Sequence, residues 1–236
     1  MSGTVLITGG GQRIGFFTAL GLQAMGYQVV VSYRTPRPEL DVLQEAGVGL
    51  IPADFSSLSG IEDFVLRLTA EVTVLRAVIH NASLWYPDHK VDELAAEHFQ
   101  QMFNLHMLAP YLINRACQPL LMSHDGARDI IHMTDWVVNR GSDKHAAYAA
   151  TKAGLENQTL SFARLFAPAI KVNAIAPALI CFNEDDDEAY RLKAVKKSLL
   201  EIVPGEQVVL DTILYLFNSP YVTGASLPLH GGRHLK

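Results

Sequence analysis

Only two cysteines, Cys117 and Cys181, occur in 236 residues, too few for a disulfide framework and in no spacing that would hold a metal. A reducing compartment suits them. Positive charge is also sparse: 19 Lys and Arg against 24 Asp and Glu leave a net charge of -5, with no clustered basic residues. Phosphate backbones and anionic membranes are held by such clusters, so nucleic acid and membrane are excluded as partners and small molecules are left. No apolar run approaches the roughly 20 residues of a membrane helix. Met1-Ser2-Gly3 leads straight into Thr4-Val5-Leu6-Ile7 without a basic stretch, so no signal peptide is expected and the chain reads as cytoplasmic. Low-complexity segments and internal repeats are absent as well. Residues 1–236 are therefore expected to form one domain.

With 49% hydrophobic residues, that domain has enough material for a large core. Short apolar runs recur at Val5-Leu6-Ile7, Val29-Val30-Val31, Val48-Gly49-Leu50-Ile51, Leu75 to Ile79, Asp129 to Met133 and Ile170 to Ala174, separated by longer helical segments. This alternation marks βαβ units. The fold class expected is α/β, a doubly wound parallel sheet flanked by helices on both faces.

The first strand runs into Thr8-Gly9-Gly10-Gly11-Gln12-Arg13-Ile14-Gly15 and then a helix from about Ile14 to Met25. Glycines at such a turn let backbone approach a pyrophosphate, and the helix N-terminus supplies unpaired N–H groups, so dinucleotide binding is expected. At the end of the second strand stand Ser32-Tyr33-Arg34-Thr35. A carboxylate there would suit NADH; hydroxyls and a guanidinium suit the 2′-phosphate of NADPH. Asp54-Phe55 follows the third strand, where an adenine edge would lie, although Asp54 equally suits a helix cap near Ser56. His80-Asn81-Ala82-Ser83 ends the fourth strand, and Trp85 follows on the substrate side, placed either to stack on a flat ring or to serve as a lid or subunit contact.

Asn104 lies in a largely apolar helix expected from about Phe103 to Leu120, near Lys152 or satisfied within the core. Tyr148 and Lys152 are four residues apart in a helix-forming segment, His145 to Phe166, so they share a helix face. An ammonium near a phenol favours the phenolate and brings its pKa, ordinarily about 10, toward the working range. That pair reads as a general acid. Asn173 to Pro177 closes the last strand, and the acidic run Glu184-Asp185-Asp186-Asp187-Glu188 reads as a helix start within a loop, about 178–204, that is expected to cover substrate.

Together, Thr8 to Gly15, Asn81-Ala82, Asn104, Tyr148 with Lys152, and Asn173 to Pro177 resemble the short-chain dehydrogenase/reductase family over essentially the whole chain, including Tyr221-Val222-Thr223-Gly224 and Gly231-Gly232. The resemblance implies a Rossmann-type fold, a nicotinamide cofactor contacted by Gly9, Gln12, Ile14, Gly15, Asn81, Ala82, Ser83 and Pro177, and commonly a homotetramer. It further implies Tyr148 as proton donor, Lys152 on the nicotinamide ribose and Asn104 in a proton relay. Two departures stand out: Arg13 replaces a usual glycine, and Asp135 replaces the usual catalytic serine thirteen residues before Tyr148. Both resemble the pteridine reductase subgroup. There the arginine touches cofactor phosphate and pterin, the acid works beside the tyrosine, and an aromatic, here Trp85 with Ser83 close by, stacks on the pterin. The implied reaction is NADPH-dependent reduction of a 7,8-dihydropterin, with the monapterin, biopterin and folate side chains left open. Reduction of another carbonyl or quinone, and a non-catalytic nucleotide-binding regulator, are the competing readings.

Overall fold

Strands buried on both faces need consecutive apolar residues rather than alternate ones, and the apolar runs here supply them. They form β1 (Thr4–Thr8), β2 (Gln28–Tyr33), β3 (Gly49–Pro52), β4 (Leu75–His80), β5 (Asp129–Met133), β6 (Lys171–Pro177) and β7 (Ser226–Leu229). All pair in parallel, in the order β3-β2-β1-β4-β5-β6-β7. Between them run α1 (Arg13–Ala24), α2 (Glu39–Glu45), α3 (Leu58–Glu71), α4 (Ala95–Phe103), α5 (Ala109–Met122), α6 (Ala146–Phe166), α7 (Glu188–Val195) and α8 (Gln207–Asn218). This computed structural model describes residues 3–88 and 93–236.

Side chains of β1 point alternately into two cores. Val5 and Ile7 pack with Ala19 and Leu22 of α1 and with Leu210 and Ile213 of α8. Leu6 packs on the other side with Ile61, Phe64 and Leu68 of α3 and Ile113 of α5. Each such fully buried aliphatic or aromatic side chain contributes about 2 kcal/mol by leaving water. At the amino ends of the strands, buried Asp129 sits between Arg76 Nη1 at 2.5 Å and Lys171 Nζ at 2.9 Å, tying β4, β5 and β6 together. The opposite, carboxyl ends stay open for a ligand. The chain leaves β1 toward β2 on one side and β4 on the other, so the crevice of a doubly wound sheet opens at that point.

Three details differ from the sequence reading. A seventh strand, β7, was not expected because it is short and carries Pro228; at the sheet edge the missing N–H breaks no ladder. The helix expected from about Phe103 begins earlier, since α4 continues into α5 through a π turn at Asn104–Leu108. Ser57, not Asp54, caps α3: its Oγ accepts from Gly60 N, while Asp54 Oδ1 accepts from Ser56 N at 3.0 Å. The acidic run meets its expected use at Asp187, whose Oδ1 accepts from Tyr190 N at 2.6 Å and caps α7.

Candidate active site

Close backbone contact builds the floor of the crevice. Gly9 has φ +67°, and a Cβ there would stand 2.7 Å from Ala82 Cα; at Gly15 it would stand 2.3 Å from Gly9 O. No side chain fits either place. Asn81 Nδ2 donates to Thr8 O and Gly9 O at 3.2 and 2.8 Å, and Thr8 Oγ1 accepts from the N–H groups of Asn81 and Ala82. The glycine turn and the turn after β4 are thus laced into one rigid wall. α1 starts beside it with no side-chain cap and no acid in its first turn, leaving its N–H groups and positive dipole end free for an anion.

Arg13 occupies the first position of α1 with φ +50°. A left-handed backbone at a non-glycine residue costs roughly 1 kcal/mol or more, which points to a use for the side chain. Its guanidinium spans the crevice to Cys181, donating to the carbonyl at 3.3 Å and lying 3.4 Å from Sγ. At the end of β2, Tyr33, Arg34, Thr35 and Arg37 line the same crevice. Ser32 does so too, but it is buried and its Oγ accepts from Gly9 N at 3.1 Å, so it braces the turn instead of facing a phosphate.

At the end of β5, Asp135 Oδ1 accepts from Val137 N at 2.9 Å and Oδ2 accepts from the Tyr148 hydroxyl at 3.0 Å. Lys152, one turn beyond Tyr148 on α6, is 2% exposed and donates to Met133 O at 2.7 Å. Burial raises the Asp135 carboxyl above the ordinary carboxylate range, although the Val137 N–H, Lys152, Tyr148 and Arg233 all oppose it. Burial also raises Tyr148 well above 10, reinforced by the Asp135 charge and opposed by the Ser83 hydroxyl. Lys152 is pushed down to about 8 by burial, with Asp135 acting against the fall. The phenol activation expected from Lys152 is therefore outweighed in the free protein. Trp85, 59% exposed, stands at the rim with its ring edge-on to His145 at 5.1 Å.

All but two of the residues named from the sequence line one cleft of about 390 Å³, within the range of small-molecule sites. Asp54 and Asn104 are the exceptions. Asn104 Nδ2 donates to Ser56 O at 2.6 Å and its Oδ1 accepts from Gln100, so its side chain is satisfied within the surrounding helices, the second of the two readings its sequence offered. The residue facing Tyr148 from this stretch is His106. Sequence reading also missed Arg233, whose guanidinium lies 4.1 Å from the Trp136 ring centroid and favours the Asp135 carboxylate. Nothing in its local sequence marked it, because the chain returns to the site only through β7. Among the described residues no group of His, Cys, Asp or Glu is arranged to hold a metal ion.

A family model described as Enoyl-(Acyl carrier protein) reductase matches residues 10–234. The chain is 52% identical to a dihydromonapterin reductase of Klebsiella pneumoniae subsp. pneumoniae, over 98% of this chain and 97% of that one. It is 52% identical to another dihydromonapterin reductase, from an Enterobacter species, over 98% and 96%. The chain belongs to the short-chain dehydrogenase/reductase family. Solved structures share its fold at lower identity. FolM alternative dihydrofolate reductase 1 from Brucella canis, complexed with NADP, superimposes with a TM-score of 0.87 at 24% identity, covering 99% of this chain and 95% of that one. An apo SCOR enzyme from Clostridium thermocellum gives 0.88 at 22%, covering 100% and 94%. The Rossmann-type doubly wound sheet of this short-chain dehydrogenase/reductase is shared with both. Its glycine turn, uncapped α1 and basic β2 end fit a nicotinamide dinucleotide: the backbone leaves room where a Cβ would clash, and unpaired N–H groups and guanidinium groups face the same crevice.

Proposed function

We propose that this protein reduces a 7,8-dihydropterin to its tetrahydro form with NADPH. The observation that carries the reading is the Asp135–Tyr148 hydrogen bond at the floor of the cleft, with the carboxyl raised by burial. A ring imine nitrogen is basic and takes a proton from such an acid pair. A carbonyl oxygen developing negative charge is better met by a hydroxyl donor than by a carboxylate, which speaks against the ordinary carbonyl reading. The 52% identity to dihydromonapterin reductases supports the same choice of substrate.

When bound, the reduced nicotinamide supplies the hydride, which goes to carbon 6 of the pterin. The glycine turn and the N-terminus of α1 would hold the pyrophosphate, Arg34 and Thr35 the 2′-phosphate, Phe55 the adenine side, and Lys152 with Tyr148 the nicotinamide ribose. Trp85 covers the outer face of the pterin, and stacking there contributes roughly 1 kcal/mol beyond burial. Arg13 steers the ring toward Asp135. Tyr148 and Asp135 together hold the proton for nitrogen 5, and Arg233 beside Asp135 limits how far burial raises that carboxyl. Residues 178–204 serve as the substrate loop of a single domain, entering the site through Cys181. A cytoplasmic homotetramer completes the reading; among the described residues no helix is long and apolar enough to cross a membrane.

The test is NADPH oxidation with 7,8-dihydromonapterin, 7,8-dihydrobiopterin and dihydrofolate, each repeated with NADH. Turnover of at least one, fastest with dihydromonapterin and with NADPH preferred, is the expected result. No turnover with any pterin overturns the proposal.

A further inference from the structure

Between α4 and α5 the helix widens into the π turn at Asn104–Leu108. Such turns insert a residue, redirect side chains and occur often at functional sites. This one brings His106 beneath the cleft, where it is 1% exposed. Its Nε2 accepts from the Leu84 backbone N–H at 3.3 Å and lies 3.1 Å from Ser83 Oγ. On the other side of the ring, Nδ1 lies 2.9 Å from Thr151 Oγ1, and the ring meets that of Tyr148 edge-on at 5.5 Å.

These partners fix the tautomer. A backbone N–H at Nε2 requires a lone pair there, so the proton of the neutral ring sits on Nδ1 and is donated to Thr151. Thr151 in turn donates its own hydroxyl hydrogen to Tyr148 O at 2.9 Å. The ring stays neutral because burial, and secondarily the Lys152 charge, hold its pKa well below the ordinary value. Among the described residues, no other backbone hydrogen bond holds Ser83, Leu84 or Trp85. This imidazole ties the turn to the catalytic helix from beneath, while at its outer end Trp85 meets His145 and Asp88 Oδ2 accepts from Ala146 N at the start of α6.

We infer that His106 is a positioning residue that clamps the Ser83-Leu84-Trp85 turn onto α6 and so sets the gap between Trp85 and Tyr148 in which a flat substrate lies. The inference rests on the pterin reading for the identity of that substrate, but the clamp itself does not. Glutamine at this position can place a carbonyl oxygen near the Nε2 position, accepting from Leu84 and Ser83; alanine offers nothing.

The experiment compares His106→Ala and His106→Gln with the parent, reading pterin KM and kcat, NADPH affinity, and Trp85 fluorescence anisotropy in a Trp136→Phe background. His106→Ala is expected to raise KM for dihydromonapterin by about tenfold or more while NADPH affinity stays within about twofold, and to lower the anisotropy. His106→Gln is expected to restore both. If no pterin is turned over, the proposed function fails, yet the anisotropy still decides the clamp. Unchanged KM and anisotropy in His106→Ala overturn the inference. So does an equal loss of NADPH affinity and thermal stability in both variants, which marks a residue needed only for the core.

Discussion

Tyr148 gives its hydroxyl hydrogen to Asp135 Oδ2 across 3.0 Å, and burial moves both groups toward their protonated forms. The phenol, held well above 10, does not titrate in the working range, so the pair changes its proton count at Asp135. The carboxyl is protonated below its raised pKa and loses that proton as pH rises through it. Turnover of a dihydropterin, measured as kcat/KM against pH, should therefore fall along a limb that lies above the ordinary carboxylate value of about 3.9. Asp135→Asn should remove this limb and lower turnover by about a hundredfold or more, whereas Tyr148→Phe should lower turnover similarly and keep it. Near-normal turnover in either variant sinks the assignment of the pair.

Lys152 is buried with its pKa at about 8, against about 10.4 for an unfolded lysine. Between those values the unfolded chain binds more protons than the folded one, so this residue makes stability rise with pH across that window. The expected size is on the order of 2 kcal/mol between pH 7.5 and 10. Urea unfolding of the parent and of Lys152→Met at both pH values isolates the effect, because every other lysine is common to the two proteins. The same variant should bind NADPH more weakly at pH 7. If the stability gain with pH persists unchanged in Lys152→Met, the lysine is not buried as a charge.

The sheet was legible because parallel strands with two buried faces leave continuous apolar runs, and the crevice was legible because Gly9 and Gly15 are required by backbone contact. β7 was hidden by its brevity and by Pro228. His106 was not singled out because its place beneath the cleft follows from the π turn at Asn104–Leu108, and nothing in apolar periodicity reports such an insertion. Tyr148 and Lys152 were placed together by spacing alone. The direction of the Tyr148 shift was not, since burial and the partner at Asp135 are properties of the folded site.

Arg13 separates backbone cost from side-chain use. With φ at +50°, glycine is the residue the turn itself prefers, and alanine shares the strain of arginine without its guanidinium. Arg13→Gly should be more stable than Arg13→Ala by about 1 kcal/mol in urea unfolding. Both should lose cofactor affinity and pterin turnover to a similar extent. A glycine variant no more stable than the alanine one, or one that retains full turnover, removes the case that the strain is kept for function.

Cofactor choice falls to Arg34. Ser32 is occupied with Gly9 N, which leaves the guanidinium groups of Arg34 and Arg37 as the charged groups lining the crevice beside Thr35. A charge-assisted contact to phosphate contributes about 1.5–3 kcal/mol, or roughly ten- to a hundredfold in affinity. Arg34→Ala should weaken NADPH binding by about that factor and leave NADH binding unchanged, since NADH has no 2′-phosphate to lose. Titration of both cofactors by fluorescence, repeated for Arg37→Ala, separates the two arginines. If only Arg37→Ala changes the ratio, the phosphate lies one turn farther along the loop, and the selectivity belongs to the start of α2 rather than to the end of β2.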